Sequence, residues 1–151
     1  MSLKTTIDAD LKAAMLAGDK TMVMTLRGLK AAILTVEVAE GKREEGLGDE
    51  AIISLFAKEA KKRQESADLF AQGGNIQKQQ DELTEKIVIE KYLPAQLGEN
   101  EIAKIIDTVI AETGASSMQQ MGQVIGAVKS KTGASGDGAT IARLVKEKLS
   151  Q

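Results

Sequence analysis

The chain has one proline in 151 residues, Pro94, and apolar side chains recur at steps of three and four along almost its whole length. A backbone this poor in helix breakers, with 3.6-residue periodicity and no run of alternating polarity, folds into helices rather than strands. The expected fold class is therefore all-α, punctuated at the proline. Residues 1–93 are expected to form an N-terminal four-helix, bundle-like domain, and residues 94–151 a C-terminal three-helix domain.

The periodicity places the helices one by one. A first is expected around Ser2 to Leu16. Met22, Leu26, Leu29, Ile33 and Val36 share one face of a second, from about Lys20 to Glu40, with Asp19 as its N-cap. Gly41 to Gly48 mixes charges with glycines and reads as an exposed loop, after which Asp49 is expected to cap a third helix from about Glu50 to Gln72. Its stripe is Ile52, Phe56, Ala60, Ala67 and Phe70, and Gly73-Gly74 ends it. A fourth helix, from about Ile76 to Tyr92, carries Ile76, Leu83 and Ile87. Beyond the proline, Ile102, Ile105, Ile106, Val109 and Ile110 define a fifth helix that stops at Gly114. Ser116 or Ser117 is placed to cap a sixth carrying Met118, Met121, Ile125 and Val128. The last starts near Asp137 and carries Ile141, Leu144, Val145 and Leu149.

Composition removes whole classes of chemistry. With neither His nor Cys, the usual zinc and transition-metal ligand sets are missing, as are Ser-His and Cys-His nucleophile pairs, and no disulfide framework exists. Ser130-Lys131 is a lone dipeptide with no partner motif and is given no catalytic role. No cofactor, no metal and no catalytic residue is therefore expected, and the chain is expected to work by binding. The apolar run Ala31-Ala32-Ile33-Leu34 is too short to span a bilayer and no targeting signal is visible, so a cytoplasmic monomer with no membrane contact is the default. Formal net charge is −2, which leaves any nucleic-acid contact to a local patch.

Two regions carry candidate binding chemistry. In the cluster Lys58-Glu59-Ala60-Lys61-Lys62-Arg63-Gln64-Glu65-Ser66, helical geometry puts Glu59 and Arg63 in or beside the apolar stripe. There they are expected to form a partly buried ion pair joined by Arg27. Lys58, Lys61 and Lys62 point elsewhere and are candidates for meeting an acidic protein partner, although exposed lysines are usually only solvated. In the C-terminal part, Gly122 and Gly126 lie four apart on one helix face, each costing about 1 kcal/mol relative to Ala. Close helix packing is the favoured explanation, and close approach of a nucleic-acid backbone the rival.

The segment Gly133-Ala134-Ser135-Gly136-Asp137-Gly138 lacks the strand and the Gly-Lys-Ser/Thr of a nucleotide-binding loop. It is expected to be a flexible turn capped by Asp137, with an RNA backbone contact as the alternative. From Lys129 to Gln151 five basic residues (Lys129, Lys131, Arg143, Lys146, Lys148) face two acidic ones, a local net of +3. The three aromatic residues, Phe56, Phe70 and Tyr92, all precede Pro94 at core spacing, so the C-terminal part has no ring on which an unpaired base can stack. Any RNA bound there must be read by shape and backbone, as a folded tRNA would be. The candidate contact set is Gly122, Gly126, Lys129, Lys131, Gly136, Arg143 and Lys146.

Lys58 to Ser66 with Phe70 and Gly73-Gly74, then Tyr92-Leu93-Pro94 with Gln96-Leu97, then Met121-Gly122 and Asp137-Gly138, together resemble the YqeY-like family over essentially the whole chain. The resemblance implies four helices followed by three. It also implies that the C-terminal part is similar to the tail domain of the B subunit of the tRNA-dependent amidotransferase, which engages folded tRNA while catalysis belongs to other domains. Chains of this family often carry the description carbon-nitrogen ligase activity with glutamine as amido-N-donor, but this sequence holds no part that activates glutamine or ATP. Ser135 and Gly136 stand where the family usually has a basic residue. The leading expectation is a non-catalytic tRNA-binding or amidotransferase-related accessory protein, and the alternative is a helical protein-interaction module without an RNA ligand.

Overall fold

The computed structural model describes residues 2–151 and is all-helical, with no strand among the described residues. Seven α-helices follow in order: α1 Leu3–Ala17, α2 Lys20–Ala39, α3 Asp49–Gln72, α4 Ile76–Glu90, α5 Glu99–Thr113, α6 Met121–Thr132 and α7 Gly138–Leu149. The chain divides into two compact units between Leu93 and Pro94, with α1 to α4 in the first and α5 to α7 in the second.

Helix ends follow local chemistry. Ser2, Asp19, Asn75 and Asp137 each accept a hydrogen bond from the backbone N–H three residues on, satisfying one of the donors that a helix start leaves open. The connection from α1 to α2 is only two residues long, and Gly18 takes the left-handed conformation (φ 71°) that lets the chain reverse there. Asp49 departs from expectation. Gly48 occupies the cap position of α3, and the Asp49 carboxylate instead accepts the N–H of Leu3 at 2.9 Å. One side chain so closes an open donor of α1 and tethers two helix N-termini across 46 residues of sequence.

The core of the first unit is Ile7, Leu26, Leu29, Ile33, Leu47, Ile52, Phe56, Ala60, Val88, Ile89 and Tyr92. Phe56 and Tyr92 meet edge to face at 5.9 Å, and the Tyr92 hydroxyl donates to Asp10 at 2.5 Å, joining the end of α4 to α1. Burial and that carboxylate together push the Tyr92 hydroxyl well above its usual range.

Of the stripe expected on α4, Leu83 is half-buried but Ile76 and Ile87 are exposed, and the buried residues are Val88 and Ile89. The reason is length. α3 has 24 residues, about 36 Å at 1.5 Å per residue, and beyond Ala60 only Ala67 is buried, so that its far half packs on α4 largely through charged and amide side chains. Phe70, at that far end, is half-buried with the Lys78 ammonium 5.4 Å from its ring centre, rather than a core residue.

Glu37 is the one buried acidic or basic residue among those described, at 4% exposure. Its carboxylate accepts the Lys4 ammonium at 2.6 Å and the Leu47 N–H at 2.9 Å, tying α1, α2 and the loop before α3 together. The Lys4 hydrogen bond, and then the Leu47 N–H, hold its pKa below the ordinary 4.5. A carboxylate with a depressed folded pKa stabilises the fold above its unfolded pKa and loses that contribution as pH falls through the folded value. The thermal midpoint should therefore drop as pH is lowered below 4.5, and Glu37→Gln should start lower at neutral pH and lose less between pH 7 and pH 3. Calorimetric scans across that range would check it, and parallel curves for the two proteins would refute it.

Candidate nucleic-acid interface

The second unit is built on Ile102, Ile106, Val109, Ala115, Val124, Val128, Ile141, Val145 and Leu149. Gly114, left-handed at φ 69°, ends α5 as expected. Met118 does not belong to α6. It lies in a separate 3-10 turn, Met118–Gln120, and is exposed, while Val124 joins Val128 in the buried stripe of α6.

The buried stripe puts Gly122, Gly126 and Lys129 on the solvent face of α6, at spacings of four and three. A Cβ added at either glycine would meet nothing within 4 Å. Close packing between helices, the explanation favoured from sequence, is thus excluded within the chain. Lys129 extends from this face toward the start of α7, and a Cβ on Gly138 would lie 3.7 Å from its ammonium nitrogen.

The glycine-rich segment has Asp137 as the cap of α7, as expected, preceded by a short helical turn. Gly133–Ser135 forms a 3-10 turn whose carbonyls are held from outside: Ala134 accepts from the Gln96 side chain at 2.9 Å and Ser135 from the Leu97 N–H at 2.8 Å. Gly136 has an internal reason to be glycine, since a Cβ there would lie 2.5 Å from Thr132 Oγ1 and 3.0 Å from Ile141 Cδ1. It packs inside the unit and is half-exposed, so its being glycine is explained without an RNA contact.

The basic side chains are placed less favourably than the sequence count suggests. Lys131 pairs with Glu112 at 3.1 Å, Lys148 with Asp107 at 2.9 Å, and Arg143 with both Glu99 and Glu147. From Pro94 onward six basic residues balance six acidic ones, the α5 carboxylates neutralising what the segment from Lys129 carries. Lys129 and Lys146 are exposed and make no ion pair among the described residues. Gly122, Gly126 and Lys129 therefore share one face of α6, while Lys131 and Arg143 are engaged in ion pairs.

A family model described as Yqey-like protein matches residues 4–149. The chain belongs to the YqeY-like family. No curated protein matches it in sequence. No helix among the described residues is long and apolar enough to cross a membrane, and none of their acidic side chains gather into a group able to hold a metal ion.

The family's charged segment lies on α3. Lys58, Lys61 and Lys62 are exposed; Lys62 pairs with Glu59 at 3.1 Å, and the other two make no ion pair among the described residues. Arg63 lies 3.9 Å from Glu59, as its spacing suggested, but its stronger partners are Glu82 at 3.3 Å and Glu85 at 3.2 Å on α4. Arg27 does not join them: it is exposed on α2 and makes no ion pair among the described residues. Sequence reasoning missed Glu82 and Glu85 because they are on α4's inward face only if Ile76 and Ile87 point outward. Gln96 and Leu97 were flagged only through the family resemblance.

Two stability measurements follow. Arg63→Ala leaves three carboxylates facing one another and should cost about 2 kcal/mol in urea unfolding, less than a fully buried pair because the side chain is 30% exposed, whereas Arg27→Ala should fall within about 0.5 kcal/mol of wild type. Gly136→Ala should destabilise by about 1–3 kcal/mol through its clash with Thr132, while Gly122→Ala and Gly126→Ala should each stabilise by about 1 kcal/mol. Equal effects at the three glycines would contradict the packing described.

Proposed function

We propose that this protein is a non-catalytic, cytoplasmic tRNA-binding or amidotransferase-related accessory protein. In this reading α1 to α4 form a bundle-like domain, α5 to α7 form an amidotransferase-tail-like domain, and the face carrying Gly122, Gly126 and Lys129 lies against the backbone of a folded RNA. The observation that carries it is the open space at the two glycines. Each weakens α6, nothing inside the chain exploits the missing side chain, and a polyanion approaching the bare helix backbone would. Lys129 supplies a cation at the end of that face, and the absence of aromatic residues beyond Pro94 favours a folded molecule over an unpaired strand.

The internal pairing of Lys131, Arg143 and Lys148 sets the expected strength: few phosphates neutralised, and a shallow dependence on salt. Titrating labelled, folded tRNA with the protein across a salt series should give binding whose anisotropy signal is lost with Gly122→Leu/Gly126→Leu and weakened with Lys129→Glu. Lys58→Glu/Lys61→Glu should leave it unchanged. Absence of binding even at low salt would overturn the tRNA reading.

A second reading has its own observation. Lys58 and Lys61 are exposed and carry unpaired charge on α3, which suits a helical interaction module meeting an acidic protein surface. If the tRNA titration is flat, a pull-down abolished by Lys58→Glu/Lys61→Glu and untouched by the α6 variants would support it.

A further inference from the structure

Between α1 and α2 lies a groove of about 410 Å³ whose floor is the buried Ile7 and Ile33, with Ala31 and Leu34 along its α2 edge. Two ion pairs cross it from one helix to the other, Lys4 to Glu37 at 2.6 Å and Lys30 to Asp8 at 2.5 Å. Lys4 and Asp8 are about one turn apart on α1, roughly 6 Å along its axis. The lining therefore holds two cations, two anions and an apolar strip between them. Glu37 differs from the other three charged groups, its side chain being 5% exposed where Lys4 is 41%, Lys30 45% and Asp8 57%. The Lys4 ammonium and the Leu47 N–H both donate to the same oxygen of Glu37, Oε1. Oε2 accepts from nothing among the described residues, and it is not sealed off from open space. A carboxylate oxygen in so buried a side chain calls for a donor, and Glu37 borders the groove, from which one can arrive. Lys4, beside it, has given one of its three donors and keeps two.

We propose that this groove is a binding site for a free α-amino acid with an aliphatic side chain. An open acceptor beside open donors matches an ammonium and a carboxylate carried on one carbon. The ligand's ammonium donates to Glu37 Oε2, its carboxylate accepts from the Lys4 ammonium, and its side chain lies over Ile7 and Ile33 toward the Lys30–Asp8 pair. The turn of helix between the two ion pairs leaves room for a branched aliphatic group. A side chain with a charge of its own would reach a pair already neutralised, and gain little. A ligand that is only a carboxylate or only an amine would answer one half of the Lys4–Glu37 pair and leave the other unmatched. Pocket volumes of this order, apolar with a few convergent polar groups, suit small molecules. The site is built from α1 and α2 alone and does not depend on the reading of the α6 face.

Isothermal titration of the full chain with L-leucine tests this, alongside isocaproate, which lacks the amine, and isoamylamine, which lacks the carboxylate. Leucine should bind at least ~10-fold more tightly than either analogue and should raise the thermal midpoint as its concentration increases. Ala31→Trp, which fills the groove from an exposed position on its edge, should abolish the binding heat without lowering the thermal midpoint of the free protein. Gly122→Leu/Gly126→Leu should leave leucine binding unchanged. Neither heat nor a thermal shift with leucine at millimolar concentration would overturn the proposal, the open oxygen of Glu37 then being served by water alone. Equal binding of leucine and isocaproate would also overturn it, since the apolar floor would be acting without Glu37. So would leucine binding that survives Ala31→Trp, which would place the ligand elsewhere.

Discussion

The carboxylate of Glu37 fixes the geometry on which the rest of the first unit depends. An ionised group at 4% exposure is tolerated only because an ammonium and a backbone N–H satisfy it, and those donors come from α1 and from the loop that leads into α3. Leu47, whose N–H it accepts, is itself a core residue, so the polar anchor and the apolar packing fix the same stretch of chain. Gly46, left-handed at φ 77°, lets the loop turn there, and a Cβ on it would come within 3.1 Å of the Lys4 ammonium. With the Asp49 carboxylate accepting from Leu3, the start of α3 is held against the start of α1, and the direction of the long α3–α4 hairpin follows.

That hairpin explains why the unit changes character along its length. Near the anchor, α3 buries Ile52, Phe56 and Ala60 against α1, α2 and the end of α4; farther out only α4 remains to pack on. Two helices alone have too little apolar surface between them, and the interface there is carried by Arg63 among Glu59, Glu82 and Glu85 and by Lys86 with Gln64. One guanidinium among three carboxylates specifies register more than it adds stability, since a half-turn slip would leave the carboxylates without their cation. Leu69 and Ile76 stay exposed near the turn for the same reason: no third element covers them.

Helices whose apolar residues face one neighbouring core were legible in the sequence. α2, α5 and α7 bury most of the stripe that periodicity assigns, the rest of it being half-buried, although on α2 the buried Thr25 and Glu37 lie outside what an apolar pattern can show. α4 was not legible in this way. Its half-buried face is Glu82, Leu83, Glu85 and Lys86, mostly charged, and periodicity read on apolar residues alone turns the helix toward Ile76 and Ile87. The count of basic residues after Lys129 failed for a related reason: Lys131, Arg143 and Lys148 are neutralised by Glu112, Glu99 and Asp107, residues distant in sequence that only folding brings near. Gly136 and Gly122 are indistinguishable as letters, and only the surroundings separate a glycine required by Thr132 from one facing open space.

Open glycines on helix faces offer a more general argument. A mid-helix glycine weakens its helix by about 1 kcal/mol, and α2 and α6 both accept that cost with no compensating contact inside the chain. The two helices differ in what surrounds the gap. On α2 the exposed residues a turn away are Met24 and Ala31, with Arg27 and Lys30 on the flanks, so that apolar and basic groups both border the gap. On α6 the neighbour on the same face is Lys129, with Gln123 and Ser130 beside it, a polar setting in which a gap exposes backbone to a polar ligand. The same residue type therefore stands in different surroundings in the two units. Because the second unit carries no excess of positive charge, any polyanion it holds must be selected by the fit of its backbone to the bare α6 face, which distinguishes it from a binder driven by counterion release.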